Sequence, residues 1–206
     1  TELIDLLNNR DYLKEFGLNP STALCLFLPD TYEFYWNTTA EGFVERMSRE
    51  YQVYWNEGRK QRAKDIGLSP VEVQIIASIV VQESNQRDEW PVIAGVYINR
   101  YKRGMLLQAD PTVKYAVNDF DLRRVRSIHT SVDSPYNTYK YKGLPPGPIY
   151  MAGKQSMEAV LNYQRHNYLY FCARPDGSGY HAFARTFEEH QRNARSYQRN
   201  LNARGI

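Results

Sequence analysis

Glu83 is a carboxylate standing where the surrounding pattern asks for an apolar side chain. It follows Ile76 by seven residues, Ile79 by four and Val80 by three, so on a helix it turns toward the same face as those residues. A carboxyl pressed against apolar neighbours resists ionisation, and an acid that keeps its proton near neutral pH can give it to a leaving group. The alternative is a helix that ends near Glu83 and releases the side chain to water, as most glutamates do. Two further clusters carry groups suited to sugars. In 104–112, Gln108 and Asp110 alternate with Leu107 and Ala109 along an extended segment, and Pro111-Thr112 starts a turn or helix. Asp133-Ser134-Pro135-Tyr136-Asn137-Thr138-Tyr139 has the same chemistry and runs on to the ring-constrained Gly143-Leu144-Pro145-Pro146-Gly147-Pro148-Ile149. Amides and carboxylates match hydroxyl and acetamido groups, and tyrosines stack on pyranose rings. Each cluster taken alone also reads as a structured loop.

The elements that must position these residues are mostly helical. Ser69-Pro70-Val71-Glu72 is a capping box with proline at the first helical position, so the Glu83 helix begins there. Asp88 and Pro91 start a further helix through Val92, Ile93, Val96 and Tyr97, ending near Gly104. Upstream, 2–16 alternates short helical patterns with polar breaks, and 23–28 reads as a strand stopped by Pro29-Asp30. Thr38 with Glu41 makes a second capping box, from which a long amphipathic helix runs to Ile66, with Gly67 as its stop. Segment 104–149 lacks sustained periodicity and reads as irregular chain broken by short helices, the kind that builds sites. A helix over 155–161 follows, then a hairpin from 168–173 through Asp176-Gly177-Ser178-Gly179 to 180–185, and a last helix capped by Thr186 and Glu189. The class is α+β, with no internal repeat.

The chain has 206 residues, 42% hydrophobic and 24% charged, enough for one sizeable core and a smaller appended lobe. Its apolar stretches fall well short of the roughly 20 residues that span a bilayer. No signal-like pattern or methionine stands at Thr1, so the sequence reads as a mature or truncated form whose targeting segment has been removed. A net charge of +3 gives no argument for nucleic acid, and Arg192, Arg195 and Arg199 on one face of the last helix read as a solvated face. Cys25 and Cys172 share no metal-ligand spacing and read as small buried hydrophobes, with a single disulfide as the alternative. The histidines at 129, 166, 181 and 190 show no zinc spacing, and no cofactor or metal is expected. A Cys172-His181 nucleophilic pair would face across the hairpin without an evident orienting acid.

Together and in order, these motifs form a specific match. Ala77-Ser78-Ile79-Val80 with Glu83-Ser84, Ala94-Gly95-Val96 with Asn99-Arg100, and 107–113, 134–139 and 143–149 resemble the YceG/MltG-like endolytic murein transglycosylase family. Leu28-Pro29-Asp30-Thr31-Tyr32-Glu33, Tyr168-Leu169-Tyr170-Phe171 and Gly179-Tyr180-His181-Ala182-Phe183 extend the likeness over nearly the whole chain. The resemblance implies a lysozyme-like, mostly helical core with a small β-hairpin over 68–206, and an N-terminal helical lobe over 1–67 packed on it. It implies a periplasmic or outer-surface location at the bacterial inner membrane, through an N-terminal anchor that, like a LysM-like portion, this chain lacks. Many relatives carry a glutamate at the position of Val81 as well as at Glu83; here Val81 is apolar, so the acid is expected to be Glu83. Glu83-Ser84 also looks like the catalytic motif of other lysozyme-like transglycosylases, and 104–112 like their Gly-x-x-x-Gln-x-x-Pro-x-Thr cleft segment, with the register open by about a residue.

The implied reaction cuts the β-1,4 bond between N-acetylmuramic acid and N-acetylglucosamine within peptidoglycan strands, leaves 1,6-anhydro ends and limits strand length during cell-wall synthesis. Glu83 is the expected acid and base, and Ser84, Gln108, Asp110, Thr112, Tyr136, Asn137 and Tyr139 the expected sugar-holding residues. The expected partners are glycan strands and cell-wall synthases. Two rivals stay open. A lysozyme-type hydrolase would use Asp110 or Asp133 to activate water, and a glycan-binding scaffold would bind without turnover.

Overall fold

The structure is a computed structural model that describes residues 2–203. Thr1 and 204–206, the ends of the expected lobe and core, lie outside the described residues. The fold is organised around α5 (Pro70–Glu83), whose capping box forms as expected: Ser69 Oγ accepts from Glu72 N–H and Glu72 accepts from Ser69 N–H. Every residue from Val73 to Val80 is buried, so α5 is a central helix rather than an amphipathic one. It packs against α4 (Glu57–Asp65), α6 (Trp90–Lys102), α7 (Asp110–Ala116) and α9 (Lys154–Leu161).

The N-terminal part comprises α1 (Glu2–Asn8), α2 (Arg10–Lys14) and α3 (Ala40–Tyr54), closing on a small cluster of Leu13, Leu18, Ala23, Cys25, Leu26 and Val44. Segment 23–28 is not a strand: Ala23–Leu26 forms a 3-10 turn, with Cys25 N–H bonded to Thr22 O and Phe27 N–H to Leu24 O. A short apolar run buried among helices meets no sheet edge to pair with, and apolar character alone does not separate the two states. The long helix to Ile66 is likewise two helices. Trp55 leaves helical geometry, its ring fully buried, and Asn56 starts α4 by accepting from Arg59 N–H. The cap of α3 is Thr39, one residue after the expected position; Thr38 Oγ1 donates instead to Tyr35 O. Trp55, Ala63 and Ile66 belong to the main core, so the smaller cluster stops at α3.

Between α5 and α6 the chain makes a short turn, Arg87–Glu89, and α6 begins at Trp90 with Pro91 in its first turn. Asp88 sits in that turn, outside the helix it was expected to start. Beyond α7, the irregular region holds only α8 (Ser127–Thr130) before α9. The hairpin pairs β1 (Tyr170–Ala173) with β2 (His181–Ala184), Tyr170 opposite Ala184 and Ala173 opposite His181. It packs under α10 (Phe187–Ala203), where Arg192, Arg195 and Arg199 are exposed. Both cysteines are free thiols. Among the described residues, no single helix is long and apolar enough to cross a membrane.

The N-terminal lobe meets the proline-rich loop at one unforgiving point. A Cβ on Gly147 would lie 1.8 Å from Ser21 O and 2.7 Å from its carbonyl carbon, so backbone approaches backbone there. Gly147→Ala is expected to destabilise the protein by roughly 2–3 kcal/mol, read as a lower denaturant midpoint. An unchanged midpoint would mean that the lobe does not rest on this loop.

Candidate active site

Glu83 closes α5, and Ser84 turns the chain to extended geometry, with Trp90 Nε1 donating to Ser84 O. Its side chain enters a cleft of about 320 Å³ walled by the 107–110 segment, Tyr139, the hairpin and the start of α10. Protein crowds the carboxyl on every side but the cleft, and burial raises its pKa from 4.5 to about 7. Asp110 pushes in the same direction, while the Tyr97 hydrogen bond, Lys114 and Arg100 oppose it. The last turn of a helix, the negative end of its dipole, also disfavours a carboxylate. Tyr97 Oη donates to Glu83 Oε1 at 2.5 Å. That bond commits Oε1, so the carboxyl proton belongs on Oε2.

Arg100 lies on α6, one turn beyond Tyr97, and is 7% exposed. No carboxylate pairs with it among the described residues. Its guanidinium donates to Leu169 O at 2.6 Å, Leu107 O at 2.8 Å, Leu106 O at 3.2 Å and Gln108 Oε1 at 3.3 Å, and lies 5.0 Å from the Tyr170 ring centre. A buried cation therefore fastens the cleft segment to the hairpin. Gln108 needs fastening: its φ is +51°, a left-handed conformation that costs a non-glycine residue about 1 kcal/mol or more. Thr138 completes the clamp, its carbonyl accepting from Gln108 N–H and its hydroxyl from Ala109 N–H.

The residues expected to hold sugars divide into two groups. Gln108, Asp110 and Tyr139 line the cleft beside Glu83, with Tyr139 Oη donating to Asp110 Oδ1 at 2.6 Å. The other four stand behind it. Thr112 is fully buried, bonded to Ala109 O and Thr138 Oγ1. Asn137, also fully buried, donates to Thr130 O and Val132 O and accepts from Tyr139 N–H. Tyr136 packs on Tyr115, their ring centres 4.6 Å apart. Ser84 is 5% exposed, and its hydroxyl donates to Glu89. The polar atoms of Thr112 and Asn137 are used by the loop itself, those of Ser84 by the turn between α5 and α6, and none of the four lines the cleft.

Sequence reading gave no site role to Tyr97, Arg100 or Glu89, and weighed His181 only as a partner of Cys172. A tyrosine within the buried stripe of α6 must satisfy its hydroxyl, and Glu83 was the carboxyl in need of a partner, so that pairing had a signal. The Glu89–His181 contact spans two distant segments and had none. Cys172 and His181 occupy neighbouring positions of the hairpin register, and no hydrogen bond joins them; burial also pushes the thiol pKa up. Val81 lines a separate, more apolar groove with Trp90 and Met151, apart from the Glu83 cleft. Among the described residues, no three of His, Cys, Asp or Glu gather as a metal site.

The same architecture recurs in known proteins. A crystal structure of a yceG-like protein from Listeria monocytogenes superposes with a TM-score of 0.75 at 30% identity, covering 93% of this chain and 66% of that one. The endolytic murein transglycosylase of Bacillus subtilis strain 168 is 37% identical over 170 residues, 82% of this chain and 46% of the relative. That of Streptococcus pneumoniae strain R6 is 32% identical over 174 residues, 80% of this chain and 30% of the relative. The chain thus spans half or less of the length of these curated relatives. The YceG-like family profile matches residues 2–196, from α1 into α10 and across the whole cleft, and the chain belongs to that family.

Proposed function

We propose that this chain is the catalytic portion of an endolytic lytic transglycosylase that cuts peptidoglycan between N-acetylmuramic acid and N-acetylglucosamine. The observation that carries the reading is a carboxyl with pKa raised to about 7 at the floor of a polar, tyrosine-lined cleft. The two curated relatives, both endolytic murein transglycosylases by name, point the same way.

Glu83 Oε2 donates its proton to the glycosidic oxygen as the bond to the muramic acid anomeric carbon breaks, leaving an oxocarbenium-like centre. The resulting carboxylate then takes the proton of the same sugar's 6-hydroxyl, whose oxygen bonds to the anomeric carbon. The acid is regenerated, no water is consumed, and the product ends in a 1,6-anhydro ring. Tyr97 aims the carboxyl, and Gln108, Asp110 and Tyr139 hold the sugars. Asp110 in the same cleft favours one rival, a hydrolase in which it activates water. Because murein lies outside the cytoplasm, the proposed location is the periplasmic or outer face of the inner membrane, and synthases that extend the strands are the proposed partners.

Mass spectrometry of purified peptidoglycan digested by the protein is expected to show fragments one water lighter than hydrolysis products. With Glu83→Gln they should fall by roughly 10²–10⁴. Reducing ends would identify the hydrolase, and no cleavage by either protein would leave a binding module.

The raised pKa also has a cost in stability. Its folded value of about 7 exceeds the ordinary 4.5, so the folded state binds this proton more tightly. That contribution is complete below pH 4.5 and is lost as pH rises through 7. Glu83→Gln removes the dependence, so its stability relative to the parent should climb between pH 5 and pH 8 by up to about 3 kcal/mol. Parallel stability–pH curves for the two proteins would contradict the burial of this carboxyl.

A further inference from the structure

A second pair of titratable groups borders the cleft and takes no part in the reaction proposed above. Glu89, in the turn between α5 and α6, is 5% exposed, and His181 is its hydrogen-bond partner. The Glu89 carboxylate accepts from His181 N–H at 2.9 Å, from His181 Nδ1 at 2.8 Å and from Ser84 Oγ at 3.3 Å. An ionised carboxylate has only acceptors to offer, so Nδ1 carries a hydrogen and the neutral ring keeps its lone pair on Nε2. His181 lines the same cleft as Glu83, and among the described residues no protein group bonds to its Nε2. The ring cannot swing freely: Phe171 meets it edge-on at 5.3 Å and 90°. The turn leading into its strand is tied down as well, by Gln86 Nε2 donating to Ser178 O and Tyr180 Oη donating to Asp88.

Other acceptors line the cleft as well: the Asp110 carboxylate, the Gln108 carbonyl, the Tyr97 and Tyr139 oxygens and a second imidazole, His190. Of these, Asp110 already accepts from Tyr139 and Gln108 from Arg100, which itself offers only donors. Further carboxylates would raise the Glu83 pKa by repulsion, as Asp110 already does; a neutral imidazole nitrogen accepts a hydrogen bond without adding charge. We infer that His181 is a substrate-binding residue whose Nε2 accepts an O–H or N–H donor of the N-acetylated sugar, and that Glu89 is the positioning residue holding that tautomer. The inference rests on the glycan reading above.

The test uses the full chain carrying Glu83→Gln, so that the ligand survives, and follows imidazole nitrogens by ¹⁵N NMR. A tetrasaccharide of alternating N-acetylglucosamine and N-acetylmuramic acid is titrated in, with the Gln108 side-chain amide reporting occupancy of the cleft. The expected result is a Nδ1–H tautomer in the free protein and an Nε2 resonance that moves together with Gln108. If Gln108 moves while Nε2 stays fixed, or the free ring carries its hydrogen on Nε2, the inference is overturned and the glycan reading stands. If neither signal moves at saturating tetrasaccharide, the glycan reading fails and takes this inference with it. In the otherwise unaltered protein, His181→Asn keeps an amide donor for Glu89 but lacks the outer acceptor. It should fold normally and lose roughly tenfold or more in kcat/KM. Unchanged turnover would make the histidine a structural group only. Glu89→Gln can donate to Nδ1 and invert the tautomer, and is expected to show both the Nε2–H signature and the same loss.

Discussion

A half-buried carboxyl at the end of a central helix is the constraint from which the rest of the site follows. Partial burial alone would make an ionised Glu83 costly, since it has lost solvent and has no cation paired with it. The protein answers in two ways. Raising the pKa to about 7 keeps the group protonated for much of the time at neutral pH, and Tyr97 supplies a hydrogen bond that fixes its orientation. Because the two residues lie on neighbouring helices of one close-packed core, the distance between them is set by the packing of α5 against α6 rather than by loops.

The opposite wall is built on a different principle. Gln108 sits in a left-handed conformation and would relax without restraint. Arg100 below and Thr138 beside it supply the bonds that hold it, and Asn137 and Thr112 in turn hold the Thr138 loop. The cleft segment is therefore held in place by groups behind it, Thr138, Asn137 and Thr112, as well as by Arg100 in the lining. Both walls depend on the hairpin, which accepts from Arg100 at its base, through Leu169, and presents His181 near its tip.

Much of this was legible in the sequence where a local rule applied. The capping box at Ser69, the hairpin turn and the apolar spacing before Glu83 each express short-range geometry, and each has its structural counterpart. Reading failed where a local pattern had two solutions. Six apolar residues at 23–28 fit a strand as well as a buried 3-10 turn, and the neighbours decided. Asn56 was a readable cap inside a pattern that otherwise ran on as helix. Residue type alone does not separate the positions that line the cleft from those behind it, since the polar groups that bind sugars also bind loops; Thr112 and Asn137 are buried in the loop. The roles of Arg100, Glu89 and His181 were not legible because they arise from contacts between distant segments.

The proton on Glu83 is the point on which acid catalysis, the purpose of Tyr97 and the pH dependence of stability all turn. Its titration can be followed directly, by carbon NMR of carboxyl-labelled glutamate with Glu83→Gln assigning the signal. The account predicts a midpoint of about 7 in the native protein, moving upward in Tyr97→Phe as the bond favouring the ionised form is lost. A midpoint near the ordinary 4.5, or one indifferent to Tyr97, would contradict it.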